Sequence, residues 1–406
     1  MNIKMRRIAS DTAPFLSGAF AILLAIAIIS SPETSFQASL QGLKLWWNLV
    51  FPALLPFLIL SEMLTASGFA HGLGVLLEPL MRRIFRLPGT GGWTLWLGLT
   101  TGFPGGAQGV LQLHKQGSLS DKEAGRLAAL VHFGSPVTLL IVVGVAFLHS
   151  PAAGYGLLAV HWLSGLLAGF TATLLRGSPK IPEECSHTEE PNRKSPYKRV
   201  LYAASEARLQ DGRSFGKLLG DSVGSSVQSL MIVGGYMIMF AVVISIVQGL
   251  FPELPATLTA GLMEINLGAR TLSEASIAAP SGATEHLSLA LLSAALGWSG
   301  LCAHLQIMTI LKTAQIRFLP FAAVRLLHGL YAFLLTLLLW KPLMSFQESA
   351  LPTLARPDAD HSGLVRFTTI WSTLPNLLGI QFLLLLSLLM LSAFIALIAI
   401  FRRRFD

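Results

Sequence analysis

The sequence predicts an all-α membrane protein, and three observations carry that expectation. Of its 406 residues 53% are hydrophobic and only 12% charged, about half the charged share of an average soluble domain. The mean hydropathy is +0.63. Apolar stretches long enough to cross about 30 Å of hydrocarbon recur along the chain.

Those stretches fall near 13–30, 43–68, 126–148, 152–175, 226–250, 287–311, 321–340 and 378–401, which gives eight expected transmembrane helices. The first, behind Lys4, Arg6 and Arg7, has the outline of a signal peptide. Because so many spans follow, it reads as an uncleaved first helix. Trp46, Trp47, Trp93 and Trp96 read as interfacial anchors.

Two further apolar segments, 92–113 and 256–272, are broken by glycines. Lysine and arginine concentrate in cytoplasmic loops, and that rule decides how these segments run. If 92–113 crossed the membrane, the loop with Lys115, Lys122 and Arg126 would fall outside. Re-entrant hairpins at both places keep every basic cluster cytoplasmic: Arg82, Arg83 and Arg86; the loop above; Lys312, Arg317 and Arg325; and Arg402, Arg403 and Arg404. Both chain termini then lie in the cytoplasm.

The net charge of +8 is accounted for by these loops. No basic face with interleaved aromatics points to nucleic acid. The two cysteines, Cys185 and Cys302, are too few for a disulfide framework or a metal cluster and read as free thiols. No enzyme signature emerges: the chain has no HxxxH or P-loop pattern. No cofactor is expected beyond a coupling H⁺ or Na⁺.

The chain reads as a single polytopic domain: an N-terminal helix (1–40), a first repeat (41–176), a polar cytoplasmic linker (177–213), a second repeat (214–341), and an extracytoplasmic loop with the last helix (342–406). Within the linker, YKRVLYAASEARL (197–209) suits either an amphipathic surface helix on anionic lipid or a solvated segment. The repeats match in order. A span precedes TGFPGGA (101–107) and then a span carrying HFGSPV (132–137); in the second half a span precedes MEINLGA (263–269) and then GWSGLCAHLQ (297–306). Gly106 to Ser135 is 29 positions and Gly268 to Ser299 is 31. Inverted repeats with helices interrupted at matching places point to a transporter's substrate site.

Irregular backbone at membrane depth survives only where protein or a water-filled cavity surrounds it. Helix fragments beginning at such breaks aim free amides and partial positive charge inward, which favours an anionic solute. Gly102, Phe103, Pro104, Gly105, Gly106 and Gln108 in the first break, with Ser135 and Pro136 in the next span, are therefore substrate-binding candidates. The glycines also suit close helix packing. Glu264 and Asn266 lie in the second break, where a carboxylate inside an apolar stretch is a functional candidate. Glu264 suits a coupling proton, Na⁺ held with Asn266 and backbone carbonyls, or hydrogen bonds from substrate, against a structural pairing with Arg270. His132 is a coupling-ion candidate, and Trp298, Ser299, His304 and Gln306 complete the substrate set. Glu62 and Asp221 read as solvated span-end residues.

At these breaks the sequence resembles the YlbJ-type sporulation integral membrane proteins of endospore-forming bacteria, which carry the nucleoside-recognition gate domain shared with concentrative nucleoside transporters. The resemblance rests on FPALLPFLILSEML (51–64), TGFPGGAQGVLQLHKQGSLSDKEAGRLAAL (101–130), FGSPV (133–137), SVQSLMIVGGYMIMFAVVI (226–244), MEINLGA and GWSGLCAHLQ, spanning about 40–340. It implies a multi-pass transporter of the outer forespore membrane, derived from the mother cell, whose cargo is dipicolinate. That aromatic dianion suits glycine-lined helix N-termini and Trp298 better than an ionised Glu264. The alternatives are a nucleoside-type heterocycle carrier and a non-transporting scaffold that recruits spore-assembly proteins. Membrane lipid and a homo-oligomer are the other partners expected.

Overall fold

A computed structural model describes residues 18–175, 196–278, 283–350 and 367–405. The basic N-terminus, Cys185 and the centre of the 342–377 loop lie outside them. All the described elements are helical. Five helices are long and apolar enough to cross a membrane, or seven if two sharply bent pairs each count as one span.

The five are α8 (Pro151–Leu175), α10 (Phe215–Leu250), the stretch formed by α13 (Ala283–Trp298) with α14 (Gly300–Ile310), α15 (Phe318–Ala350) and α16 (Phe367–Phe405). They match five of the eight expected spans. The shortfall has physical causes. α1 (Gly18–Ser30) meets the next helix, which begins with α2 (Pro32–Leu45), at 105°. α3 (Phe51–Ala66) meets α4 (Phe69–Leu80) at 81°, turning at left-handed Gly68. The stretch expected as one span at 126–148 is not continuous: α7 (Asp121–Leu130) ends, residues 131–135 are unwound, and a short π-type helix runs Val137–Phe147.

α4 lies between the expected span at 43–68 and the loop with Arg82, Arg83 and Arg86, where no element was expected. Ala70, Leu73, Leu77 and Leu80 recur at helical spacing and are buried; at twelve residues the helix is simply shorter than a span. α9 (Pro196–Asp211), in the linker, docks on it through the Arg199–Glu78 ion pair at 2.8 Å. Residues 196–211 of the linker therefore form a helix, and one face of it lies against protein. Trp46 and Trp93 are also buried, their indole N–H groups donating to the Leu230 carbonyl and the Thr65 hydroxyl. They brace the interior where anchors were expected.

At both glycine breaks the chain reverses. α5 (Gly91–Thr101) and α6 (Phe103–Lys115) fold back about Gly102, bringing Gly98 against Gly106 and Thr94 against Gly109. α11 (Ala256–Met263) and α12 (Ile265–Ala278) fold back about Glu264. There a methyl on Gly268 would sit 2.5 Å from the Gly261 Cα, so the two backbones touch.

Candidate functional site

The tips of the two hairpins and the two interrupted helices meet at one small cavity of about 30 Å³, room for a water molecule or an ion. Its wall takes Thr101, Gly102, Phe103 and Pro104 from the first tip, Gly134, Ser135 and Thr138 from the unwound segment, Glu264, Ile265 and Asn266 from the second tip, and Ala303 and Gln306 from α14. Val50, Leu54, Val233 and Met237 close it.

The first tip presents backbone. Gly102 has φ +84° and ψ −174°, a combination open only to glycine, and the α6 N-terminus that follows has no side-chain cap. The second tip presents a carboxylate. Glu264 is 1% exposed; it accepts from the Leu267 N–H at 2.7 Å and from the Asn266 amide at 3.0 Å, capping α12. Arg270 pairs with Glu274 instead. Among the described residues no lysine, arginine or histidine lines the cavity. Gln306 donates to the Cys302 sulfur at 3.2 Å, while its buried carbonyl oxygen has no partner among the described residues.

Each interruption frees backbone groups that must be paired again. In the first, Arg325, fully buried, donates to the carbonyls of Ala129 (2.6 Å) and His132 (2.5 Å) at the open end of α7. The negative end of the helix dipole there suits its charge. Arg325 also donates to His328 Nδ1 at 2.9 Å, which leaves the His328 proton on Nε2, facing the His161 carbonyl. His161 Nε2 in turn accepts the Gly134 N–H at 2.8 Å. One arginine and two histidines thus hold the unwound segment from the α8 and α15 side. Ser135 accepts the Thr138 N–H at 3.0 Å, and Pro136 opens the following helix.

The second interruption is tighter. Ser299 is left-handed at φ +66°, a strained state for a non-glycine residue. His304 Nε2 bonds the freed Trp298 carbonyl at 2.8 Å, and His132 Nε2 bonds the Ser299 hydroxyl at 2.7 Å. His132 therefore links the two interruptions, and its ring stacks on Phe103 with centroids 4.9 Å apart.

Not every candidate residue gathers here. Gly105 and Gln108 face a separate, larger cavity, and Gln108 donates to Ser229 at 2.7 Å. Gly106 serves the close packing of α6 against Gly98 and Val131. Trp298 lies on an outer apolar groove with its N–H on the Leu262 carbonyl. Ser299, His304 and His132 support the backbone behind the cavity wall. Arg325, His161 and His328 escaped the sequence reading, which counted Arg325 with a basic loop. The available signal was an arginine and two histidines within apolar runs, at VRLLHG (324–329) and VHWLSG (160–165). The pentapeptide GDSVG (220–224) fits a hydrolase G-x-S-x-G spacing, yet it sits inside continuous α10, without the strand-to-helix turn that chemistry needs.

Residues 48–151 match a family model described as nucleoside recognition (Gate). The chain is 38% identical over 347 residues to a sporulation integral membrane protein, YlbJ, of Bacillus subtilis (strain 168), covering 81% of this chain and 83% of that one. No solved structure matches.

Proposed function

The chain belongs to the family of the sporulation integral membrane protein YlbJ, and from that premise we propose that it is a secondary transporter or facilitator for a small heterocyclic solute. Dipicolinate, crossing the outer forespore membrane, is the cargo its family resemblance favours. The observation that carries the reading is the meeting of two hairpin tips and two interrupted helices at one cavity with a buried carboxylate. In a membrane, backbone broken at that depth is supportable only around such a cavity.

In this reading α5/α6 and α11/α12 are re-entrant hairpins, and the halves form an inverted repeat with both termini cytoplasmic. Phe103 offers a backbone N–H and Ser135 a hydroxyl, and Glu264, Asn266 and Gln306 offer oxygens. A dicarboxylate beside Glu264 has to bring a proton or a metal cation with it, because two unscreened carboxylates in a dry site repel strongly. Glu264 is thus the residue through which H⁺ or Na⁺ couples. A nucleoside-type heterocycle is the second reading, supported by the gate-family match over 48–151 and by a lining of amides, hydroxyls and one carboxylate.

The test is uptake of labelled dipicolinate into proteoliposomes, with uridine as competitor and imposed proton or sodium gradients. Saturable uptake, indifferent to uridine and lost in Glu264→Gln, is the expected result. Uptake of uridine in its place selects the second reading. No uptake of either by folded protein removes the transport reading and favours a scaffold.

A further inference from the structure

The two polar cavities differ in size and in charge. The central one, of about 30 Å³, holds Glu264 and no cation. The other measures about 310 Å³, the lower end of the range for small-molecule sites, and its charged lining residues are Glu62 and Lys115. α6 is the partition. Its N-terminal residues face the central cavity, while Gln108, Gln112 and Lys115, spaced four and then three apart along one face, line the larger one. Ser225 and Ser229 of α10 form the facing wall.

The two charges of the larger cavity differ in their partners. Glu62 accepts the Ser225 hydroxyl and lies 3.7 Å from the Arg213 guanidinium, which it shares with Asp211 at 2.7 Å and Asp221 at 3.3 Å. Lys115 makes no ion pair among the described residues. The larger cavity therefore offers an anion an ammonium group, and the smaller one offers none.

We propose that the larger cavity is a second binding site, an antechamber where an anionic heterocycle is held by the Lys115 ammonium and the Gln108 and Gln112 amides before α6 yields to the centre. The inference rests on the transport reading above. It resolves the mismatch between an anionic cargo and a central cavity that is ion-sized and carboxylate-bearing. In the conformation described, the solute's place is the antechamber and the ion's place is the centre.

Equilibrium binding of labelled dipicolinate to the full-length protein in phosphatidylcholine nanodiscs, which carry no net-anionic lipid, tests this. Lys115→Gln should weaken binding about tenfold, the worth of one charge-assisted hydrogen bond. Gln112→Trp, which fills the cavity, should weaken it at least as much, and Lys122→Gln, an equal charge change in the exposed first turn of α7, should leave it unaltered. Wild-type affinity in both the Lys115 and Gln112 variants overturns the antechamber and leaves the transport reading standing. A wild-type protein that binds no dipicolinate overturns both. Lys115 is exposed, so its variant reports on binding even where the tryptophan variant fails to fold.

Discussion

The two helix interruptions do the same mechanical work with different chemistry. The first unwinds five residues, 131–135, whose His132 carbonyl and Gly134 N–H go to Arg325 of α15 and His161 of α8, with His328 bonded to both of these residues behind them. The second is a left-handed turn at Ser299 and Gly300, repaired by His304 on its own helix and by His132 from the other half. The hairpin beside each follows suit: the first tip offers bare backbone at Gly102, the second a carboxylate at Glu264. The lesson is a division of labour. The first half supplies a peptide surface that a neutral or anionic group can approach, and the second supplies the charge.

The largest expected effect breaks that asymmetry at its heaviest member. Arg325→Leu leaves two carbonyls and a histidine nitrogen without their donor inside the protein. Breaking such a network costs about 3–5 kcal/mol. His304→Leu takes one hydrogen bond from a Trp298 carbonyl that still receives the Ser299 hydroxyl, a loss of about 1 kcal/mol. Thermal unfolding in detergent should rank the two clearly. Equal stability in both variants would refute the claim that the first interruption depends on a charged brace.

What the sequence made legible follows the same divide. The glycine breaks, the hairpins they allow and the convergence on Glu264, Asn266, Ser135 and Gln306 were visible, because a carboxylate or a glycine cluster is conspicuous against an apolar background. The residues behind the wall were not. Arg325 sits three residues before His328, and an arginine near a span end looks like a loop marker until its carbonyl partners, almost 200 positions away, are known. Length rules failed where helices bend or break. α4 is too short to pass for a span, and α1 and α3 are halves of bent pairs. Trp298 looked suited to an aromatic solute by composition, but its direction is set by the turn at Ser299, which sends it outward.

A smaller effect distinguishes the hairpin tips. Gly102 occupies a conformation that costs any other residue about 1–3 kcal/mol, and a Cβ there would also lie 3.0 Å from the Ser135 backbone nitrogen. At the second tip Glu264 is in ordinary extended conformation, φ −141° and ψ 126°, which every residue adopts freely. Gly102→Ala should therefore lower the unfolding temperature, and Glu264→Ala should not do so through backbone strain. If Gly102→Ala unfolds at the wild-type temperature, the first tip is not held by glycine geometry.

The smallest effect sharpens the comparison, because both helical fragments are capped from their own tips. Ser135 Oγ accepts the Thr138 N–H at 3.0 Å, as Glu264 accepts the Leu267 N–H at 2.7 Å. Ser135→Ala removes a neutral cap at a cost of about 1 kcal/mol. Glu264→Gln keeps a capping oxygen and removes only the charge, so its stability should change even less. If the second half carries charge and the first carries surface, the two variants separate by readout. Ser135→Ala should lower solute affinity without changing the dependence of uptake on the proton or sodium gradient, and Glu264→Gln should abolish that dependence while the protein stays folded. A Ser135→Ala protein whose uptake no longer responds to either gradient would place ion coupling in the first half, against the division of labour drawn from the geometry.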